Sequence, residues 1–241
     1  MQDTPAPARF PIDPRIDHDF NARESVASFE DAYGALLTLS AGARDALPAP
    51  SKHAFDRQSG STLNLYSAGA NTPVFLWIHG GYWRIGSKED NAFAAPGLVA
   101  HGISVAVMDY SLAPAADLHQ IVHEVRCAVA WLHAQASGLA LDPARIHVGG
   151  SSAGGHLVGT LLAGGWQDQY QVPADTIGVA LALSGIFDLE PLLHTQVNDW
   201  MNMDKRTVSA LSPIRHIPAQ STAKLLISVG GKERVGFHRE T

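Results

Sequence analysis

One cysteine, Cys127, stands in a sequence of 241 residues, and a lone cysteine excludes an intrachain disulfide. It falls in the apolar pattern Val125, Ala128, Val129, Leu132 and reads as a buried core thiol. No apolar stretch reaches the length of a membrane span, and the opening MQDTPAPARFPIDPRID lacks the apolar core of a signal peptide. The expectation is a soluble, cytoplasmic chain with no membrane partner. Charged residues are few, at 17%, and their formal balance is −6. Nothing gathers Lys and Arg into a patch, so nucleic acid is not an expected partner. Internal repeats and low-complexity tracts are missing as well. What remains is a chain with 46% hydrophobic residues, enough for a sizeable core, and one domain is the simplest organisation.

Four prolines, Pro5, Pro7, Pro11 and Pro14, crowd the start. They predict an extended surface arm over residues 1–20, with no helix before about Asp17. The domain proper is then residues 21–241. Val26, Phe29, Tyr33, Leu36 and Leu37 space as one face of a helix from Glu24 to Leu39. His53 to Arg57 and Thr62 to Tyr66 flank Ser59-Gly60-Ser61 as a hairpin would. Beyond them, apolar runs at Val74–Ile78, Ile103–Met108, Ile146–Val148, Val179–Leu183 and Leu225–Val229 read as strands, mostly buried on both faces. Helical patterns at Asn91–His101, Leu118–Ala136 and Ala153–Ala163 fall between them. Alternation of this kind predicts an α/β fold, a mostly parallel sheet flanked by helices.

The strand Ile146–Val148 runs into GGSSAGGHLVGTLLAGG. Gly150, Ser152 and Gly154 make a G-x-S-x-G between a strand and a helix, the context of a nucleophile elbow. Ser152 is therefore the candidate nucleophile, with its Oγ at a helix N-terminus and the Ala153 amide facing any developing negative charge. A phosphate loop is the competing reading, but the Lys-Ser/Thr of a P-loop and the spacing G-x-G-x-x-G are both missing. Upstream, FLWIHGGYWRIGSKED places His79-Gly80-Gly81 just after a strand. Glycines there let backbone amides approach a substrate, and the amides of Gly81 and Tyr82 join Ala153 as oxyanion-hole candidates. No residue pattern calls for a metal or other cofactor: His119, His123 and Glu124 lack the order H-E-x-x-H and read as the polar face of a helix.

HGGYW followed by GGSSAGGHL resembles the α/β-hydrolase superfamily, and within it the kynurenine formamidase (arylformamidase)-like branch of small serine esterases. FNARESV, MDYSLAP and SGIFDLEPLLHT agree, so the resemblance runs from about Phe20 to the C-terminus. It implies an eight-stranded sheet, a cofactor-free Ser–acid–His triad and hydrolysis of a formamide or ester of an aromatic, N-formylkynurenine-like small molecule. Carried over by position, Ser152 is the nucleophile. Glu233 in GGKERVGFHRE is the acid, because it stands four residues before Phe237 in a Phe-x-Arg pattern. Asp188 is a competing acid that reads better as a helix cap, and His79 is expected to brace its loop.

The resemblance places the general base after one further strand, yet only eight residues follow Glu233. The expectation is a fold lacking its last strand and helix, with the base unassigned. His194 and His216, on loops near the presumed mouth, are the candidates to substitute for it; His156 and His238 read as packing and surface positions. An uncovered Leu225–Val229 edge would also suit a homodimer. Tyr82, Trp83, Tyr110 and Trp200 are expected to line an aromatic pocket, with HTQVNDWMNMD as a lid and Trp77 in the core. Two alternatives stay open beside the formamidase-like enzyme: a general carboxylesterase, and a non-catalytic binding protein of the same fold.

Overall fold

A computed structural model describes residues 10–241. The first element is a helix, α1 (Pro14–Asp19), which corrects the extended arm over those six residues; residues 1–9 of that arm lie outside the described residues. Pro14 sits at the first helical position, where the missing N–H costs nothing and the fixed φ suits a helix. Asp13 caps it, accepting from the amides of Arg15 at 2.8 Å and Ile16 at 3.4 Å. A short 3-10 turn (Ala22–Ser25) leads to α2 (Phe29–Ala46), capped by Ser28. This helix starts later and runs further than its apolar spacing predicts. Val26 and Leu37 are exposed, and the buried positions are Ser40 and Ala43.

The expected hairpin forms from β1 (Ser51–Ala54) and β2 (Thr62–Tyr66). Then come β3 (Thr72–Ile78), a 3-10 turn (Glu89–Ala94), α3 (Ala95–Ala100), β4 (Ser104–Met108) and α4 (Leu118–Gln135). The elbow region comprises β5 (Leu141–Ser151) and α5 (Ala153–Leu162), followed by β6 (Ile177–Leu183). Short helices α6 (Val197–Met201) and α7 (Lys205–Leu211), the strand β7 (Lys224–Ser228) and α8 (Val235–Glu240) complete the order. Among the described residues the sheet has seven strands in the order β1-β2-β4-β3-β5-β6-β7, one fewer than the resemblance implies. β1–β2 and β2–β4 pair antiparallel and the remaining neighbours pair parallel.

The period-two geometry of strands splits the core into two layers. Val74, Leu76 and Ile78 of β3, with Ala106 and Met108 of β4, face a layer packed by α4 and α5. Trp77, Val105 and Val107 face the opposite layer with Tyr66, Ala43 and Ala95. Trp77 is core, as expected, and its indole N–H donates to Asn91 Oδ1 at 3.2 Å. One strand departs from the expectation of burial. Leu225, Leu226 and Ile227 of β7 are 48%, 53% and 40% exposed, because among the described residues this strand pairs along one edge only, with β6.

Candidate active site

The carboxyl ends of β3, β5, β6 and β7 converge, which is where open α/β sheets place ligands. Ser152 follows β5 directly with φ 55° and ψ −117°, and α5 starts at the next residue. A left-handed φ on serine costs roughly 1–3 kcal/mol and persists only where the surroundings enforce it. Here the Ser152 amide donates to Leu183 O at 2.8 Å, fastening the turn to the end of β6. Gly154 lets strand and helix close on each other, since a Cβ there would lie 2.1 Å from the Ile78 carbonyl oxygen.

The donor loop lies against this turn. A Cβ at Gly80 would stand 2.6 Å from Ser151 O and 3.3 Å from Ser152 Cβ. Tyr82 and Trp83 both take positive φ, 47° and 56°, so the strain continues through the loop. The amides of Gly81 and Tyr82 donate to no acceptor among the described residues. Ala153 is the first residue of α5, where a helix leaves its N–H unpaired. The Ala153 amide adjoins Ser152 and the Gly81 and Tyr82 amides follow Gly80, which packs against it, so negative charge developing on a bound carbonyl has unspent donors nearby.

Several contacts hold the loop. His79 Nδ1 donates to Gly80 O at 2.8 Å, its ring stacks on Tyr110 at 4.1 Å, and the Tyr110 hydroxyl donates to His79 O at 2.9 Å. Burial lowers the His79 pKa, which keeps the ring neutral. At the far end, Lys88 is 5% exposed and pairs with Asp109, whose other oxygen accepts from the Lys88 amide at 2.7 Å. No sequence pattern singled out this pair.

The candidate acid stands close by. Glu233 Oε1 accepts from Ser184 Oγ at 2.5 Å and from the Gly230 amide at 2.8 Å. Ser184 follows β6, takes φ 50°, and donates its amide to Ser228 O at 2.7 Å. A relay of contacts therefore runs from Ser152 through Leu183 and Ser184 to Glu233. Ser184 escaped the sequence reading; its only signal was a Ser-Gly pair ending an apolar run. Asp188 is engaged elsewhere, accepting from the Glu190 amide and Arg215 at 3.1 Å each; it is not the helix cap expected, because the next helical turn is Pro191–His194 with Glu190 at its N-cap.

The aromatic residues do not all face a pocket. Trp83 is fully buried, set edge-on to His156 at 5.1 Å, and Tyr110 is buried under His79. Both are corrected to core positions: Trp83 packs against the buried His156 ring of α5, and Tyr110 stacks on His79. Tyr82 is half-buried, with its hydroxyl donating to Phe20 O. Its carbonyl accepts from Trp200 Nε1 at 3.1 Å, and the Arg84 guanidinium lies 4.8 Å over the Trp200 ring. Trp200 borders a cavity of about 490 Å³ with Phe10, Leu118, His119 and Met203, and Ser152 is not on its wall. The segment expected to act as a lid is folded as α6, with Val197, Met201 and Met203 buried.

Among the described residues no histidine hydrogen-bonds to Ser152 or Glu233. His194 Nδ1 donates to Pro11 O at 3.0 Å and His216 Nε2 to Ser209 O at 2.7 Å. His156 is sealed in the core, where Nε2 donates to Leu211 O at 2.9 Å and Nδ1 has no partner. Burial pushes its pKa down to about 4, against roughly 6.5 in an unfolded chain. The folded state gains from this neutral ring above about pH 6.5 and loses that gain as pH falls toward 4, a swing of about 3 kcal/mol. Urea unfolding is therefore expected to show stability declining between pH 7 and 4. A His156→Gln chain should decline less, and an unchanged slope would assign the acid sensitivity to other groups.

The sheet, the strained serine turn and the glycine-rich donor loop together define an α/β-hydrolase fold. The chain belongs to the BD-FAE family, whose model matches residues 63–235, and it is arylformamidase-like. It is 30% identical over 194 residues to the kynurenine formamidase of Danio rerio, covering 78% of this chain and 64% of that protein. To the Carboxylesterase NlhH of Mycobacterium tuberculosis it is 37% identical over 89 residues, 36% of this chain and 28% of that one. The chain thus spans less than two thirds of the length of these relatives. A solved structure from Silicibacter sp. superposes with a TM-score of 0.79 at 26% identity, covering 93% of this chain and 84% of the other. Thermogutta terrifontis esterase 2 shares the fold, with a TM-score of 0.62 at 15% identity over 77% of this chain and 85% of that one. No described helix is long and apolar enough to cross a membrane.

Proposed function

We propose that this chain is a serine hydrolase of formamides or carboxylic esters with an aromatic or apolar group, acting through an acyl-enzyme on Ser152. The observation that carries the reading is the positive-φ Ser152 turn with the Gly80 backbone packed against it. Ser152 Oγ attacks the carbonyl carbon while its proton passes to a base. The oxyanion of the tetrahedral species is held by the amides of Gly81, Tyr82 and Ala153, and expulsion of the amine or alcohol leaves the acyl-serine. Water then repeats the sequence and frees the acid. Glu233, in contact with Ser184, is the acid that orients and stabilises the imidazolium of the base. Tyr82 and Trp200 offer aromatic surface to the substrate, and the formamidase relatives support an aryl formamide such as N-formylkynurenine.

The scheme requires an imidazole that does not touch Ser152 in this arrangement, so activation of the serine is the property to measure. A fluorophosphonate probe is expected to label the purified chain at Ser152 and to leave Ser152→Ala unlabelled. A folded chain that resists the probe would favour the alternative, a binding protein of this fold without turnover. Comparing N-formylkynurenine with short p-nitrophenyl esters then separates a formamidase from a general carboxylesterase, the reading favoured by the similarity to NlhH.

A further inference from the structure

Away from the serine turn, α4 carries a group of side chains that hydrolysis does not use. His123 and Cys127 are one helical turn apart and face the turn of the β1–β2 hairpin, where Asp56 is buried. Among the described residues these three form a cluster whose ligating atoms all lie within 4.8 Å of one another. The geometry points to a binding site for a zinc-like divalent cation, held by the Asp56 carboxylate, His123 Nε2 and Cys127 Sγ.

The separations fit the ion. Tetrahedral coordination with Zn–S near 2.3 Å and Zn–N near 2.1 Å sets sulfur and nitrogen about 3.6 Å apart. Cys127 Sγ and His123 Nε2 stand 3.5 Å apart. The Asp56 oxygen lies within 4.8 Å of both, where a tetrahedral zinc site would place it at about 3.5 Å. The other atoms of the cluster are already committed in the way a metal site needs. His123 Nδ1 is 2.7 Å from the Tyr170 hydroxyl, and a ring that donates there presents the Nε2 lone pair to the ion. Asp56 accepts from the Gln58 and Ser59 amides and from Ser59 Oγ, at 3.0, 3.3 and 2.8 Å. These bonds hold the carboxylate facing the helix side chains.

Charge balance favours the same assignment. Binding forms an S–metal bond, breaks the S–H bond and releases one proton to solvent. One carboxylate, one thiolate and a neutral imidazole then offset the two positive charges, leaving a neutral buried complex. Among the described residues Glu124, Tyr170 and Arg126 are further titratable neighbours of the cluster. A thiolate ligand selects zinc-like cations over magnesium or calcium. The bond would tie the hairpin to α4, adding to the Ser61–Glu124 hydrogen bond and the His53–Trp131 contact.

The test is a titration of the reduced, purified chain with Co²⁺ alone. The expected result is a thiolate-to-metal charge-transfer band that saturates at one equivalent and is reversed by Zn²⁺ but not by millimolar Mg²⁺. Zn²⁺ at a hundredfold excess over its dissociation constant should raise the thermal midpoint by about 5–10 °C. Cys127→Ser should abolish the band, and His123→Gln should weaken binding at least tenfold. A folded wild-type chain with no band at millimolar Co²⁺ overturns the site, leaving a thiol–imidazole hydrogen bond. A band of full affinity in a folded His123→Gln chain overturns it too, since the thiol would then be acting alone.

Discussion

Ser152→Ala is expected to lower kcat/KM for ester and formamide hydrolysis by about four orders of magnitude or more, with KM almost unchanged. The size follows from what the residue does in the proposed scheme. Without Oγ no acyl-enzyme forms, and only binding and the oxyanion donors remain to assist attack by water. The turn should survive the change, because its geometry is imposed by Gly154 against Ile78 and by the Ser152 amide bond to Leu183, neither of which involves the hydroxyl. Far-ultraviolet dichroism and the unfolding midpoint should therefore stay close to those of the parent. Ser151→Ala is the matched control and should leave most of the rate. A Ser152→Ala chain that keeps more than a tenth of the activity would place the nucleophile elsewhere.

Parts of this arrangement were legible because they are written in local spacing. G-x-S-x-G after an apolar run can hardly fold as anything but a tight strand–helix turn, and the alternation of β3 and β4 between two core layers follows from side-chain period alone. What escaped has a common cause, contact between residues distant in the chain. Lys88 carried no signal in the sequence because Asp109, twenty-one residues on, is what makes its burial tolerable. Glu124 read as part of a solvated helix face, yet it is fully buried, accepting from Ser61 Oγ, the Ser111 amide and Gln120. Trp83 looked like a pocket wall because sequence carries no record of its packing against His156, far along the chain. Pro14 misled in the opposite direction: four nearby prolines argued for an extended arm, whereas one proline behind a capping aspartate begins a helix.

Glu233→Gln is expected to lower kcat by about 10³–10⁴-fold if Glu233 is the acid of the triad. The substitution is well suited to the question, because the amide oxygen can still accept from Ser184 Oγ and the Gly230 amide while the charge is lost. A glutamate that merely closes the turn before α8 would tolerate the change, with a loss of about threefold or less. The pH profile separates the two roles further. A carboxylate beside an imidazole favours the protonated ring, so removing its charge should move the acid limb of kcat/KM to lower pH. Ser184→Ala should show a smaller loss in the same direction, since Ser184 acts only by holding Glu233. Asp188→Asn is the counterpart: its carboxylate serves the Glu190 amide and Arg215, and its effect should appear in stability with the acid limb unmoved. If Asp188→Asn shifts that limb and Glu233→Gln does not, the assignment of the acid reverses, and the relay through Ser184 becomes a structural clasp between β6 and the turn that follows β7.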